Sequence, residues 1–149
     1  MPARTQTKPG RKVSGADALI GLNLIKTEKN VLIKNIKKGL PISAFEKIQK
    51  ELDVSADTLA STINIATRTL ARRKKEGRFH SDESERVLRI ASLFDRALQV
   101  LHSQSRVQLW FKSPQKGLGG QTPLEYADTE PGAREVEDLL GRLEHGVFS

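Results

Sequence analysis

The chain has 149 residues, enough for one compact domain or two small ones, and it carries a formal net charge of +7. Cysteine is absent, which excludes disulfides and thiolate metal sites, and no segment approaches the ~18 uninterrupted apolar residues that a membrane-spanning helix needs. The first twelve residues are basic and polar without an apolar core. We therefore expect no signal peptide, no membrane partner and a cytoplasmic location.

The charge is divided unevenly along the chain. Residues 1–80 hold 17 Lys and Arg against 7 Asp and Glu, a net charge of +10, whereas residues 81–149 hold 8 against 11, a net charge of −3. A basic half joined to an acidic half indicates two surfaces with different partners. The basic half suits a polyanion, and its binding would weaken steeply as salt is added.

The N-terminal region begins with a basic, proline-containing stretch, residues 1–13, which we expect to be a disordered tail. Ser14 can cap a short helix that extends to Leu24. Residues 26–38 fit either a strand or a helix, because their short apolar run has no decisive period. The next segment is predicted to be a helix with Ser43 as N-cap and Glu46 as the reciprocal capping partner.

The stretch from Ala56 to Gly77 has the pattern of a helix-turn-helix motif, with Ser55 as the cap of its first helix. Asn64 lies where the turn needs a residue that tolerates a left-handed backbone. Ala60 lies four residues earlier, where a small side chain lets the two helices cross closely. The sequence therefore predicts a DNA-binding head over residues 14–80.

The second helix of this motif carries polar and cationic side chains outside its apolar contacts. Such a helix, laid in the DNA major groove, contacts base edges near its N-terminus and phosphates through its later cations. The residues assigned to reading or positioning DNA are Thr67, Arg68, Thr69 and Arg72, and those assigned mainly to phosphates are Arg73, Lys74 and Lys75.

A plainer interpretation of the same cations stays open. A run of Arg and Lys at a helix end is often a solvated terminus stabilised by the helix dipole. Arg73 also falls where such motifs often bury a β-branched residue. The alternative hypothesis is that the motif is retained as a fold while DNA binding is vestigial in this chain.

The longest regular segment follows, with Ser81 predicted as its N-cap and acidic residues in its first turn. Apolar residues recur at intervals of three and four from Val87 to Leu101 and make a wide stripe. A helix that is apolar over so much of its circumference is central to the fold or part of a dimer seam. We expect both, and hence a homodimer that reads two half-sites.

The last third of the chain is predicted to contain three further helical segments. Val107 to Phe111 should form a short helix whose Trp110 is a core residue. Thr122 begins the next with a complete capping box, and Thr129 begins the last, which ends before Gly146.

Nothing in the sequence indicates an enzyme or a cofactor. No serine, histidine and aspartate arrangement suggests a nucleophile, and the carboxylates fall mainly on helix faces and in first turns. His80, His102 and His145 are scattered without a second ligand at metal-binding spacing. We therefore predict a binding protein without metal or cofactor, with an all-α fold.

Several of these residues together resemble antitoxins of the Xre/MbcA/ParS type, the partners of RES-domain toxins. The resemblance covers roughly residues 38–147, and its most discriminating part is LGGQTPL followed by RLEHG near the C-terminus. The matching residues are Gly39-Leu40-Pro41, Thr69-Leu70-Ala71-Arg72-Arg73, Glu83-Ser84-Glu85-Arg86, Trp110, Pro114, Leu118 to Leu124, Thr129, Gly132, Val136, Leu140 and Arg142 to Gly146.

The resemblance implies a type II antitoxin with two functions. Its helix-turn-helix head would bind operator DNA and repress its own operon, and residues 81–149 would dimerise and block the active site of a NAD-consuming toxin. The residues placed at the toxin by analogy are Arg142, Glu144, His145, Gly146, Val147, Phe148 and Ser149. From charge alone, the carboxylates of Glu144 and Ser149 would mimic the phosphates of the toxin's substrate. A stand-alone helix-turn-helix regulator, whose C-terminal half binds an effector or partner, is the alternative.

Overall fold

A computed structural model describes residues 29–146, and its regular structure in that range is helical apart from one isolated bridge between Pro41 and Arg78. The predictions for residues 1–13, for Ser14 to Leu24 and for the last three residues lie outside this range. In chain order the elements are α1 (Lys29–Lys38), α2 (Ile42–Leu52), α3 (Ala56–Thr62), α4 (Thr67–Glu76), α5 (Ser81–Leu101), α6 (Gln104–Phe111), a 3-10 turn (Lys116–Leu118), α7 (Pro123–Tyr126) and α8 (Glu130–Glu144).

The all-α prediction is confirmed, and the ambiguous stretch over residues 26–38 contains helix α1 rather than a strand. Leu32 packs against the core, and α1 lies on α5. No helix within residues 29–146 is long and apolar enough to cross a membrane.

Four of the predicted helix termini are confirmed. The Ser55 side chain accepts a hydrogen bond from the backbone N–H of Thr58, and Thr122 and Glu125 form the expected capping box before α7. The Thr129 side chain accepts from the N–H of Gly132 at the start of α8, and Gly146 has the positive φ of 73° expected just past a helix end.

Two predicted N-caps are wrong. Helix α2 begins at Ile42 rather than after Ser43, because the Ile42 N–H already donates to the Gly77 carbonyl across the isolated bridge. Helix α5 begins at Ser81 rather than after it, with His80 as the N-cap. The Glu83 carboxylate accepts from the His80 backbone N–H at 2.8 Å, so the acidic residue three positions on fixes the start one residue earlier.

Helix α5 lies at the centre of one continuous core. It packs against α1, α2, α6 and α8, which explains an apolar stripe wider than one neighbour would need. The buried apolar residues, from Leu40 in the head to Leu140 in α8, form a single cluster in space. The two regions predicted on either side of residue 80 therefore share a single core. Trp110 is only half-buried and packs edge-on against Phe111, with ring centroids 5.2 Å apart.

A buried ion pair joins the head to α5. The Arg73 side chain, 7% exposed, donates two hydrogen bonds to the Glu83 carboxylate, at 2.7 and 3.1 Å. Burial opposes ionisation of Glu83, but the hydrogen bonds from Arg73 and from the His80 backbone, with the charge of Arg73, outweigh it and lower the pKa of Glu83. Arg73 also contacts Glu76, 3.2 Å away.

Close backbone approach fixes the start of α8 against the segment before it. A Cβ added to Gly132 would lie 1.9 Å from the Tyr126 carbonyl oxygen and 2.9 Å from the Thr129 hydroxyl. Any side chain there must push α8 away from α7. Gly141, in the same helix, has nothing within 4 Å of an added Cβ.

We expect Gly132→Ala to lower the free energy of unfolding by about 3 kcal/mol, because the methyl group overlaps a backbone carbonyl. Gly141→Ala is the matched control and should raise it by roughly 0.5–1 kcal/mol, since alanine is the better helix former. Chemical denaturation of both variants measures the difference. Equal effects would contradict the close approach of α8 and α7.

We expect Arg73→Met to destabilise the fold several times more than Arg72→Met, its exposed neighbour. The first substitution leaves the Glu83 carboxylate buried beside an apolar side chain, whereas a surface change is worth within about 0.5 kcal/mol. Thermal and chemical denaturation would report both variants. A similar small effect at the two positions would show that the Arg73–Glu83 pair does not hold α4 on α5.

Candidate functional site

Helices α3 and α4 form the predicted helix-turn-helix geometry. Asn64 has a φ of 57°, the left-handed conformation expected in the turn. Ala60 is 2% exposed, and its carbonyl accepts from the Ile65 N–H at 2.8 Å, so the small side chain lies directly under the turn. Both predictions are confirmed.

The turn is also held from the C-terminal half of the chain. Arg86 of α5 donates from Nε to the Ile63 carbonyl at 2.6 Å, and the Asn64 side-chain amide donates to the Asp128 carbonyl at 2.8 Å. Asp128 immediately precedes the N-cap of α8. The sequence did not indicate these contacts, because they join residues 23 and 64 positions apart.

Most of the residues assigned to DNA lie on the outer face of α4. Leu70 and Arg73 are its buried positions. Thr69 is half-buried, and the exposed members of the predicted set are Thr67, Arg68, Arg72, Lys74 and Lys75. Of these, Arg68, Arg72 and Lys75 follow at intervals of four and three, so they form one stripe along the helix.

The first turn of α4 lacks a side-chain cap. Ala66 is the N-cap residue, with an extended φ of −64° and ψ of 149°, and Thr67 is already helical. A DNA phosphate can therefore approach the backbone N–H groups of this turn and the positive end of the helix dipole.

The assignment of Arg73 to DNA phosphates is corrected by the structure. Its guanidinium is buried in the pair with Glu83 and also contacts Glu76 and the His80 ring, so it points into the protein. Arg73 is buried because it lies three residues after the buried Leu70, which places both residues on the inner face of α4.

The end of α8 is fixed by an ion pair that sequence reasoning did not find. Both guanidinium Nη atoms of Arg96 donate to the Glu144 carboxylate, at 2.6 and 3.1 Å. The hydrogen bond and charge of Arg96 lower the pKa of Glu144. The pair lies on the surface, with the Glu144 side chain 38% exposed. It ties the last residue of α8 to the C-terminal half of α5.

The other predicted toxin-facing residues within the described range lie beside this pair. An open groove of about 490 Å³ is lined by Arg96, Glu137, Asp138, Gly141, Arg142 and His145. Arg142 is half-buried, and its Nε has no hydrogen-bond partner among the described residues. His145 and Gly146 are exposed, whereas Val147, Phe148 and Ser149 lie outside the described residues.

Within residues 29–146, no three His, Asp or Glu side chains are grouped so that they could hold a metal ion.

Comparison with known proteins covers both halves of the chain. Residues 31–92 match the antitoxin Xre-like helix-turn-helix domain, and residues 96–146 match the antitoxin Xre/MbcA/ParS C-terminal toxin-binding domain. Antitoxin Xre of Yersinia enterocolitica is 35% identical over 130 residues, which cover 86% of this chain and 88% of the relative. Antitoxin Xre of Photorhabdus laumondii is 34% identical over 116 residues, covering 76% and 78%.

A more distant relative is named for ADP-ribosylation rather than as Antitoxin Xre. The Prs ADP-ribosylating antitoxin of a Sphingobium strain is 24% identical over 124 residues, which cover 76% of this chain and 78% of the relative. The match to Antitoxin Xre over most of both chains, together with the two domain matches, shows the family. The chain belongs to the Xre/MbcA/ParS antitoxins, with an Xre-like helix-turn-helix domain followed by a toxin-binding domain.

Proposed function

We propose that this antitoxin neutralises a RES-domain, NAD-consuming toxin in the cytoplasm and that it also represses its own operon. The observation that carries the proposal is the joining of the two matched domains on one core: α5 belongs to both, and each domain has an exposed surface of suitable chemistry. On this proposal the protein acts by binding, as a homodimer, and not as an enzyme.

The DNA-binding surface is the outer face of α4. Thr67, Arg68 and Thr69 lie in the first turn, where recognition helices contact base edges in the major groove. Arg72 lies one turn further along the same stripe as Arg68 and positions the helix on the backbone. Two copies in a homodimer would place two such helices on two half-sites.

The toxin-binding surface is the end of α8. Arg142 and His145 line the groove beside the Arg96–Glu144 pair, at the end of the helix that precedes the tail. The last four residues would enter the toxin's nucleotide pocket and block it sterically. The terminal carboxylate of Ser149 would supply the negative charge that such a pocket accepts in its substrate.

Glu144 has a different role in this proposal from the phosphate mimicry expected from charge alone. Its carboxylate is already compensated by Arg96. We therefore assign Glu144 to positioning the end of α8 on α5.

We expect Arg68→Ala to weaken binding to DNA from upstream of the antitoxin's own gene by about 1–3 kcal/mol, with a smaller effect on unrelated DNA. Arg106→Ala is the control, because it removes an exposed cation outside the helix-turn-helix domain. Fluorescence anisotropy at several salt concentrations measures both. If the unaltered protein binds its upstream DNA no better than unrelated DNA, operon repression fails, and if it binds neither, DNA binding is vestigial.

We expect a version that ends at His145 to bind the RES-domain toxin but to lose most inhibition of NAD consumption, because the tail no longer fills the pocket. Calorimetry measures binding, and a NAD assay measures inhibition. Glu144→Gln should reduce inhibition less than truncation does, with Glu135→Gln, an exposed carboxylate on the same helix, as its control.

The outcomes separate the possible mechanisms. Full inhibition by the truncated protein would mean that the body of the toxin-binding domain blocks access to the active site. A Glu144→Gln defect as large as the truncation would return Glu144 to the pocket. Failure of the intact protein to inhibit would contradict the assignment to a RES-domain toxin and leave a DNA-binding regulator with another partner.

A further inference from the structure

The ends of two helices from opposite sides of the head meet at the isolated bridge. The Phe79 N–H donates to the Leu40 carbonyl at 2.8 Å, and the Ile42 N–H donates to the Gly77 carbonyl at 3.0 Å. Gly39, with a φ of 95°, permits this approach, because an added Cβ would lie 2.0 Å from the Phe79 carbonyl oxygen. The C-terminus of α1 is therefore held beside the C-terminus of α4.

Each of the two helix ends carries two exposed cations, and a fifth cation lies between them. We call this surface the cationic rim: Lys37 and Lys38 of α1, Lys74 and Lys75 of α4, and Arg78 in the connection to α5. Arg78 donates from Nη1 to the Gly39 carbonyl at 3.0 Å and to the Lys38 carbonyl at 3.5 Å. The nearest acid in sequence, Glu76, is already paired with Arg73.

Helix-dipole stabilisation accounts for only part of this charge. Two converging C-termini together present roughly one negative charge, which Arg78 alone compensates by its contact with the carbonyls of α1. The four lysines remain in excess. Among the described residues no carboxylate forms an ion pair with any of them. Their mutual repulsion would be relieved by an external polyanion.

The position of the rim on α4 favours the backbone of DNA as that polyanion. Lys74 lies seven residues after Thr67, about 10 Å along the helix axis, and the major groove is about 12 Å wide. A helix whose first turn lies on base edges therefore brings its last turn to the edge of the groove, where the phosphates are. The stripe of Arg68, Arg72 and Lys75 leads from the first turn to the rim.

We infer that the cationic rim is a second DNA-contact surface, in which Lys37 and Lys38 of α1 extend the phosphate contacts of α4 beyond the bases that its first turn reads. This inference rests on the proposed DNA-binding function. It adds helix α1, which lies outside the helix-turn-helix pair, to the interface. The rim contributes affinity and register without sequence preference, because phosphates carry no sequence information directly.

The test compares two double variants of the full chain, Lys37→Gln with Lys38→Gln, and Lys74→Gln with Lys75→Gln. Arg106→Gln with Lys116→Gln is the control, since it removes two exposed cations outside the head. Each is titrated with a duplex from upstream of the gene and with an unrelated duplex at several salt concentrations. Melting temperatures confirm that the exposed substitutions leave the fold intact.

Log affinity falls as log salt rises, and we expect this fall to be less steep in each rim variant. Its slope should shrink in magnitude by about 1 to 2, as for loss of one or two phosphate contacts. The change should be the same on both duplexes, and the control should keep the full slope. An unchanged slope for the α1 variant would overturn the inference, as would a loss of toxin inhibition with DNA binding intact. Failure of the unaltered protein to prefer its upstream DNA would count against operon repression alone, because the unrelated duplex still tests the rim.

Discussion

The buried pair of Arg73 and Glu83 is the interaction on which the arrangement of the head depends. It joins the recognition helix α4 to α5, which is the central helix of the only continuous core among the described residues. Glu83 has two functions at once, because the same carboxylate accepts from the His80 N–H and fixes the start of α5. Orientation of α4 and the beginning of α5 are therefore set by one side chain. A pair buried in this way adds little net stability over an apolar one, but its directional hydrogen bonds specify one orientation.

Two further contacts connect the turn of the motif with α5 and with the segment that precedes α8. Arg86 holds the Ile63 carbonyl, and Asn64 holds the carbonyl just before α8. Helix α8 ends at Glu144, whose carboxylate pairs with Arg96 of α5. The segment before α8 thus contacts the turn of the helix-turn-helix motif, and the other end of α8 is paired with α5. The two binding surfaces belong to one packed unit instead of two modules on a flexible linker.

Local sequence signals predicted the fold where the controlling interaction is local. Asn64 in the turn and the caps at Ser55, Thr122 and Thr129 depend on residues two to four positions away, and all were predicted correctly. The prediction of Ser43 as an N-cap was wrong because the Ile42 N–H donates to the carbonyl of Gly77, which is 35 residues away. The site contacts of Arg86, Asn64 and Arg96 were missed for the same reason, since no local pattern shows which distant carbonyl or carboxylate a side chain reaches.

Two charged residues that the sequence assigned to partners also have partners within the chain. Arg73 was assigned to DNA and Glu144 to phosphate mimicry because each lies in a motif that faces a partner, yet each is compensated within the chain, by Glu83 and by Arg96. The charge available to partners is therefore smaller than composition suggests and differently placed. On α4 it is the exposed stripe and the last-turn lysines. The electrostatic part of DNA affinity depends on how many cations have no partner within the chain. For this head, that number is larger when the lysines at the end of α1 are included.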